Sequence, residues 1–135
     1  MTYEERVAYV EALMYIATVD ETINEEELNY FDQVGQLYCI ESKELDSIKK
    51  NIINKEKSIE DILKPIKNRS TKLSLLYELV ALCYVDESYD VLEKHGMKRI
   101  CAILDVEEEK LQEIENVILE NIELQKKIYT ILERI

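Results

Sequence analysis

The chain has 135 residues with a formal net charge of −12, and it contains only two glycines and one proline. A length of this order fits one domain and buries roughly two thirds of its unfolded surface. The acidic balance excludes nucleic-acid binding by the domain as a whole, and the scarcity of turn formers favours an all-helical fold. No run of apolar residues is long enough to span a membrane.

In chain order, the first helix is expected over 3–19, opened by a capping box of Thr2 with Glu5. Val7, Val10, Leu13, Met14 and Ala17 form its apolar stripe. A second helix follows Asn24 and runs to about Tyr38, with Leu28, Phe31, Val34 and Leu37 inward. Ser42 is expected to cap a third helix that buries Leu45, Ile48 and Ile52. Ser58 and Asp61 open a short fourth helix, and Pro65 stops or kinks it. The fifth begins near Ser70 or Thr71 and turns Leu73, Leu76, Val80 and Cys83 inward. Asp90 caps a sixth that buries Met97, Ile100, Ile103 and Leu104. The seventh begins near Glu107 and runs almost to Ile135.

The last helix carries a polar notch. Its stripe of Leu111, Ile114 and Ile118 passes through Asn121 and Gln125 before resuming at Ile128, Leu132 and Ile135. Such an interruption implies a bend, a gap in the core or a partner surface. Exposed apolar residues flanking Asn121 and Gln125 would point to a homodimer.

Charge is unevenly placed. Residues 1–48 hold 12 acids and 2 bases, residues 49–72 hold 3 acids and 8 bases, and residues 73–135 hold 14 acids and 7 bases. The basic stretch is a solvated connector or a contact for an anionic partner. Cys39, Cys83 and Cys101 lie among apolar residues with no CxxC, as expected of small buried thiols in a reducing cytoplasm. The opening residues have no basic flank ahead of their apolar part, which speaks against a secretory signal.

The chain repeats itself without gaps at an offset of 66. Val19, Asp20, Glu21 and Glu27 meet Val85, Asp86, Glu87 and Glu93, and Glu41, Leu45 and Ile48 meet Glu107, Leu111 and Ile114. The apolar frame agrees, with Val34, Leu37 and Ile40 against Ile100, Ile103 and Val106. We expect one domain over 1–135, with repeat one at about 5–54, a basic connector at about 55–70 and repeat two at about 71–120. Two three-helix units of this kind pair about a pseudo-twofold axis and share one core.

The frame "YIATVDETINEEELNYFDQVGQLYCI" with "ALCYVDESYDVLEKHGMKRICAILDVEEEKL" resembles the TerB-like (tellurite-resistance) family. That family repeats Asp-Gly, an apolar residue two positions on, and a Glu seven after the Asp. Here those places are Asp20, Ile23, Glu27 and Asp86, Tyr89, Glu93. The resemblance implies a compact bundle of about seven helices and a non-enzymatic part in a metal-stress response. The family glycine is replaced by Glu21 and Glu87. Either the loop backbone differs from the family's, or an extra carboxylate is wanted at both sites.

Two readings of these carboxylates stand side by side. Asn24 with Glu27, and Asp90 with Glu93, have capping-box spacing and need no ion. Alternatively Asp20, Glu21, Glu27 and Asp86, Glu87, Glu93 hold a hard divalent cation such as Ca²⁺ or Mg²⁺ through oxygens alone. The loop is no EF-hand, since "DETINEEELNYF" has no Gly and ends in Phe31. A metal-free alternative is an acidic interaction module, of inhibitor or immunity type, that meets a protein with a basic surface. His95 is expected to be exposed, and no Ser or Cys has a His partner in a catalytic motif. Tyr38, Tyr84 and Tyr89 pack in the core or line a cleft between the repeats.

Overall fold

The computed structural model describes residues 1–18, 25–84 and 91–134, apart from the side chains of residues 26, 27 and 91–93. Among the described residues the chain is all-helical, with seven helices. They are α1 (Tyr3–Ala17), α2 (Glu25–Leu37), α3 (Ser42–Asn54), α4 (Ile59–Leu63), α5 (Arg69–Tyr84), α6 (Val91–Ile103) and α7 (Glu108–Ile131).

α1 opens as its sequence dictates. Thr2 Oγ1 accepts the Glu5 N–H at 3.1 Å, and Glu5 Oε1 accepts the Thr2 N–H at 3.1 Å. The helix then buries almost its whole circumference rather than a single stripe: Ala8, Tyr9, Val10, Glu11, Ala12, Leu13, Met14 and Ile16 are all inside. A helix enclosed this way sits at the centre of a bundle, and α1 contacts α2, α3, α4, α5 and α6. α5 is the second central helix, with Leu75, Leu76, Leu79 and Val80 fully buried. It packs on α1, α6 and α7. Its start is fixed by Asn68, whose Oδ1 accepts the N–H groups of Ser70 and Thr71. Ser58 Oγ accepts the Asp61 N–H to open α4, which ends before Pro65.

Helix boundaries recur at the offset seen in the sequence. α2 and α6 begin and end 66 positions apart, as do the starts of α3 and α7. The turn after α2 and the turn after α6 have the same construction. Cys39 and Asp105 are both left-handed, and Glu41 and Glu107 both stand at extended N-caps. Burial follows the same register in Val10 and Leu76, Leu13 and Leu79, Phe31 and Met97, Val34 and Ile100, and Leu45 and Leu111.

Several expectations are corrected. The N-cap of α3 is Glu41, not Ser42, and it makes no side-chain capping bond. Cys39 is exposed while Cys83 and Cys101 are buried. Its left-handed turn carries the side chain off the packed face. Leu37 is 76% exposed, because α2 packs chiefly on α1 among the described residues, whereas its counterpart α6 packs on α1, α4, α5 and α7. The notch of α7 has an equally plain cause. Leu111 and Ile118 are buried and Ile114 and Ile122 partly so, after which α7 outruns the bundle and its residues are exposed on every face.

The basic connector is tied into the fold. Lys49 pairs with Asp32, Lys57 with Glu11 at 3.3 Å, and Arg69 with Glu107 at 2.8 Å. Arg99 of α6 meets Glu60 of α4 at 2.9 Å. The Arg69–Glu107 and Arg99–Glu60 pairs are exposed and screened by solvent, so they add little stability. No described helix is long and apolar enough to cross a membrane.

Candidate functional site

Asp20, Glu21, Asp86 and Glu87 lie outside the described residues, as do Asn24 and Asp90, the expected helix caps, and Tyr89. Glu27 and Glu93 are each the third residue of a helix, α2 and α6, and their side chains also lie outside the description. The described helices begin at Glu25 and Val91. At the end of α1, Thr18 Oγ1 donates to the Tyr15 carbonyl at 3.1 Å. Among the described residues, no group of three or more His, Cys, Asp or Glu side chains is arranged to hold a metal.

Sequence reasoning passed over Glu11. It is 2% exposed and lies inside the central helix. Lys57 Nζ donates to its Oε1 at 3.3 Å, while Oε2 is buried without a hydrogen-bond partner. Burial raises its pKa, the Lys57 ammonium lowers it in part, and Glu44 raises it further. A cleft of about 220 Å³ opens beside it, bounded by Tyr3, Glu44, Lys57 and Asp61. The signal was legible: a lone carboxylate interrupts the apolar run "VAYVEALMYIA".

A second polar cluster joins the turn after α2 to α5. The Tyr38 hydroxyl lies 3.0 and 3.1 Å from the two carboxylate oxygens of Glu78 on α5 and donates to that carboxylate. The Tyr9 ring lies 5.2 Å from the Tyr38 ring. Burial and the Glu78 charge push the Tyr38 phenol up to about 12, and the same two causes raise Tyr9 further. Tyr38 and Tyr84 are partly buried against the core. Tyr38 therefore serves packing and one polar bridge, rather than an open cleft.

A cleft of about 560 Å³ lies where the end of α1 meets the α3–α4 turn. Lys55, Lys57 and Arg99 give it a basic rim over Tyr15, Ile52 and Ile59. Lys57 and Arg99 are already engaged by Glu11 and Glu60. His95 is exposed on α6. The Cys101 thiol lies 3.1 Å from the Val106 carbonyl oxygen, and burial raises its pKa.

No protein-family model matches the chain, and no curated protein or solved structure matches it significantly.

Proposed function

We propose that the chain is a non-enzymatic, TerB-like module of a stress-response system, built from two pseudo-twofold-related three-helix repeats, whose duplicated acidic loops take up a divalent cation. The observation that carries the reading is the shared offset of 66 in sequence, helix boundaries, left-handed turns and buried positions. Both acidic segments fall at equivalent junctions, one between α1 and α2 and the other between α5 and α6.

Capping accounts for Asn24 with Glu27 and for Asp90 with Glu93. That capping spacing does not call on Asp20, Glu21, Asp86 or Glu87, which recur at the same offset of 66 in the sequence. An oxygen-only donor set of this kind suits Ca²⁺ or Mg²⁺.

Thermal melting of metal-free protein with and without millimolar Ca²⁺ or Mg²⁺ tests the reading. A cation present at a hundred times its Kd stabilises by about 2.7 kcal/mol per site, a rise of several degrees for a domain of this size. The rise is expected to disappear in the Asp20→Asn/Asp86→Asn double variant. A melting temperature indifferent to both ions overturns the cation reading and leaves the acidic surface to a basic protein partner.

A further inference from the structure

The far half of α7 is a helix without a bundle. An isolated helical segment of that length is marginal in water, yet four of its seven exposed large apolar residues, Val117, Leu124, Ile128 and Ile131, share one face, with Leu119, Tyr129 and Leu132 outside it. Val117, Asn121, Leu124, Ile128 and Ile131 follow one another at spacings of four, three, four and three, the a/d rhythm of a coiled coil. All five are exposed, Val117 at 52%, Leu124 at 53% and Ile131 at 78%. This seam is displaced around the helix from Leu111, Ile118 and Ile122, which α7 uses inside its own chain, while Ile114, partly buried on the core, lies between the two faces.

The charges say what covers the seam. Between Glu113 and Glu123 every charged residue is acidic, namely Glu113, Glu115, Glu120 and Glu123. From Lys126 to Arg134 the bases are Lys126, Lys127 and Arg134, against the single acid Glu133. A helix acidic in one half and basic in the other complements its own copy only when the two run in opposite directions. Glu120 and Lys127 occupy the same flanking heptad position, one turn of the heptad apart. In an antiparallel pair that position faces its own kind, so Glu120 meets Lys127 of the second copy, twice about the axis. In a parallel pair Glu120 would meet Gln125 and Lys127 would meet Leu132.

We propose that the chain forms an isologous homodimer through antiparallel α7 helices, with the twofold axis near residues 121–124. The register sets Asn121 against Leu124 of the second copy, Val117 against Ile128, and Ile114 against Ile131. Three heptads alone make a short coiled coil, and the fold supplies the remainder. A groove of about 510 Å³ runs between α5 and α7, walled by Leu73, Tyr77, Ile114 and Val117. That groove is where Ile131 of the second copy arrives. Asn121 sits in the two central layers and fixes the register, as a lone polar a-position residue does. The inference stands independently of the cation reading.

Sedimentation equilibrium of the full chain tests it. A dimer is expected at micromolar concentration. Leu124→Lys is expected to give a folded monomer with an unchanged helical circular dichroism spectrum, because Leu124 is exposed and not packed on the core. Glu120→Lys and Lys127→Glu should each weaken the dimer by about tenfold or more, and the double variant Glu120→Lys/Lys127→Glu should restore it. A wild-type monomer at several hundred micromolar overturns the proposal. So does a dimer that tolerates Leu124→Lys, or one that the charge exchange fails to rescue.

Discussion

Cys39 and Asp105 stand 66 positions apart in the chain and share one left-handed backbone conformation, with φ of 57° at each. Each ends a helix in the same way. The Ile40 N–H reaches back to the Gly35 carbonyl at 2.8 Å, and the Val106 N–H to the Cys101 carbonyl at 3.0 Å. This is the Schellman arrangement, in which glycine is the usual occupant. A residue with a Cβ is disfavoured there by about 1 kcal/mol. Cys39→Gly and Asp105→Gly should therefore each stabilise the protein by about 1 kcal/mol, raising the melting temperature by several degrees. A lowered melting temperature for both would mean that these turns are held by their side chains.

Glu11 gives stability a pH dependence opposite to that of an ordinary ion-paired carboxylate. Its folded pKa lies above the usual value of 4.5, chiefly through burial. The native state thus favours the protonated acid. Its contribution is fully present below about pH 4.5 and is lost as pH rises through the raised folded pKa. Replacing a buried, half-satisfied charge with an apolar residue of similar size is often stabilising by about 1 kcal/mol or more. Glu11→Met should accordingly raise the melting temperature at pH 7, and the gain should shrink towards pH 4. An equal difference at both pH values would contradict the assignment.

The tyrosines divide by environment. Tyr38 ionises at about 12 and Tyr9 higher still, through burial and the Glu78 charge. Because their folded values lie above the unfolded one near 10, the stability they contribute is lost as pH rises from there. Ultraviolet titration should show some of the nine tyrosines ionising only as the protein unfolds in alkali. Tyr38→Phe should remove one of these and cost about 1 kcal/mol through its hydrogen bond to Glu78. Nine tyrosines titrating together near pH 10 in folded protein would refute the cluster.

Of the three cysteines, Cys39 is exposed and Cys83 and Cys101 are buried. Native protein should therefore give one fast equivalent with an aromatic disulfide reagent and three after denaturation. Two or more fast equivalents would mean that the core opens around α5 or α6.

The elements were legible wherever a local rule fixed them. Thr2 with Glu5, and Ser58 with Asp61, announced helix starts that depend on neighbours three residues away. The order of the helices followed from apolar periodicity and from the 66-residue repeat. Less legible was what depends on neighbours far along the chain. Leu37 has the spacing of a core residue, but α2 has little to bury it against. Cys39 occupies a turn whose usual glycine is missing, so its side chain gave no signal of the left-handed geometry. Glu11 stood out as a charge among apolar residues, yet only the fold shows Lys57, 46 residues away, reaching it. For the paired acidic segments, the sequence repeat alone carries the reading, since residues 19–24 and 85–90 lie outside the described residues.

The most direct test of the central claim is calorimetric titration of metal-free protein with Ca²⁺ and with Mg²⁺. Two loops of one design should take up two ions per chain, saturably. Asp20→Asn and Asp86→Asn should each remove one equivalent, and together they should abolish the heat. No saturable heat at millimolar ion, or binding indifferent to both substitutions, would contradict the claim.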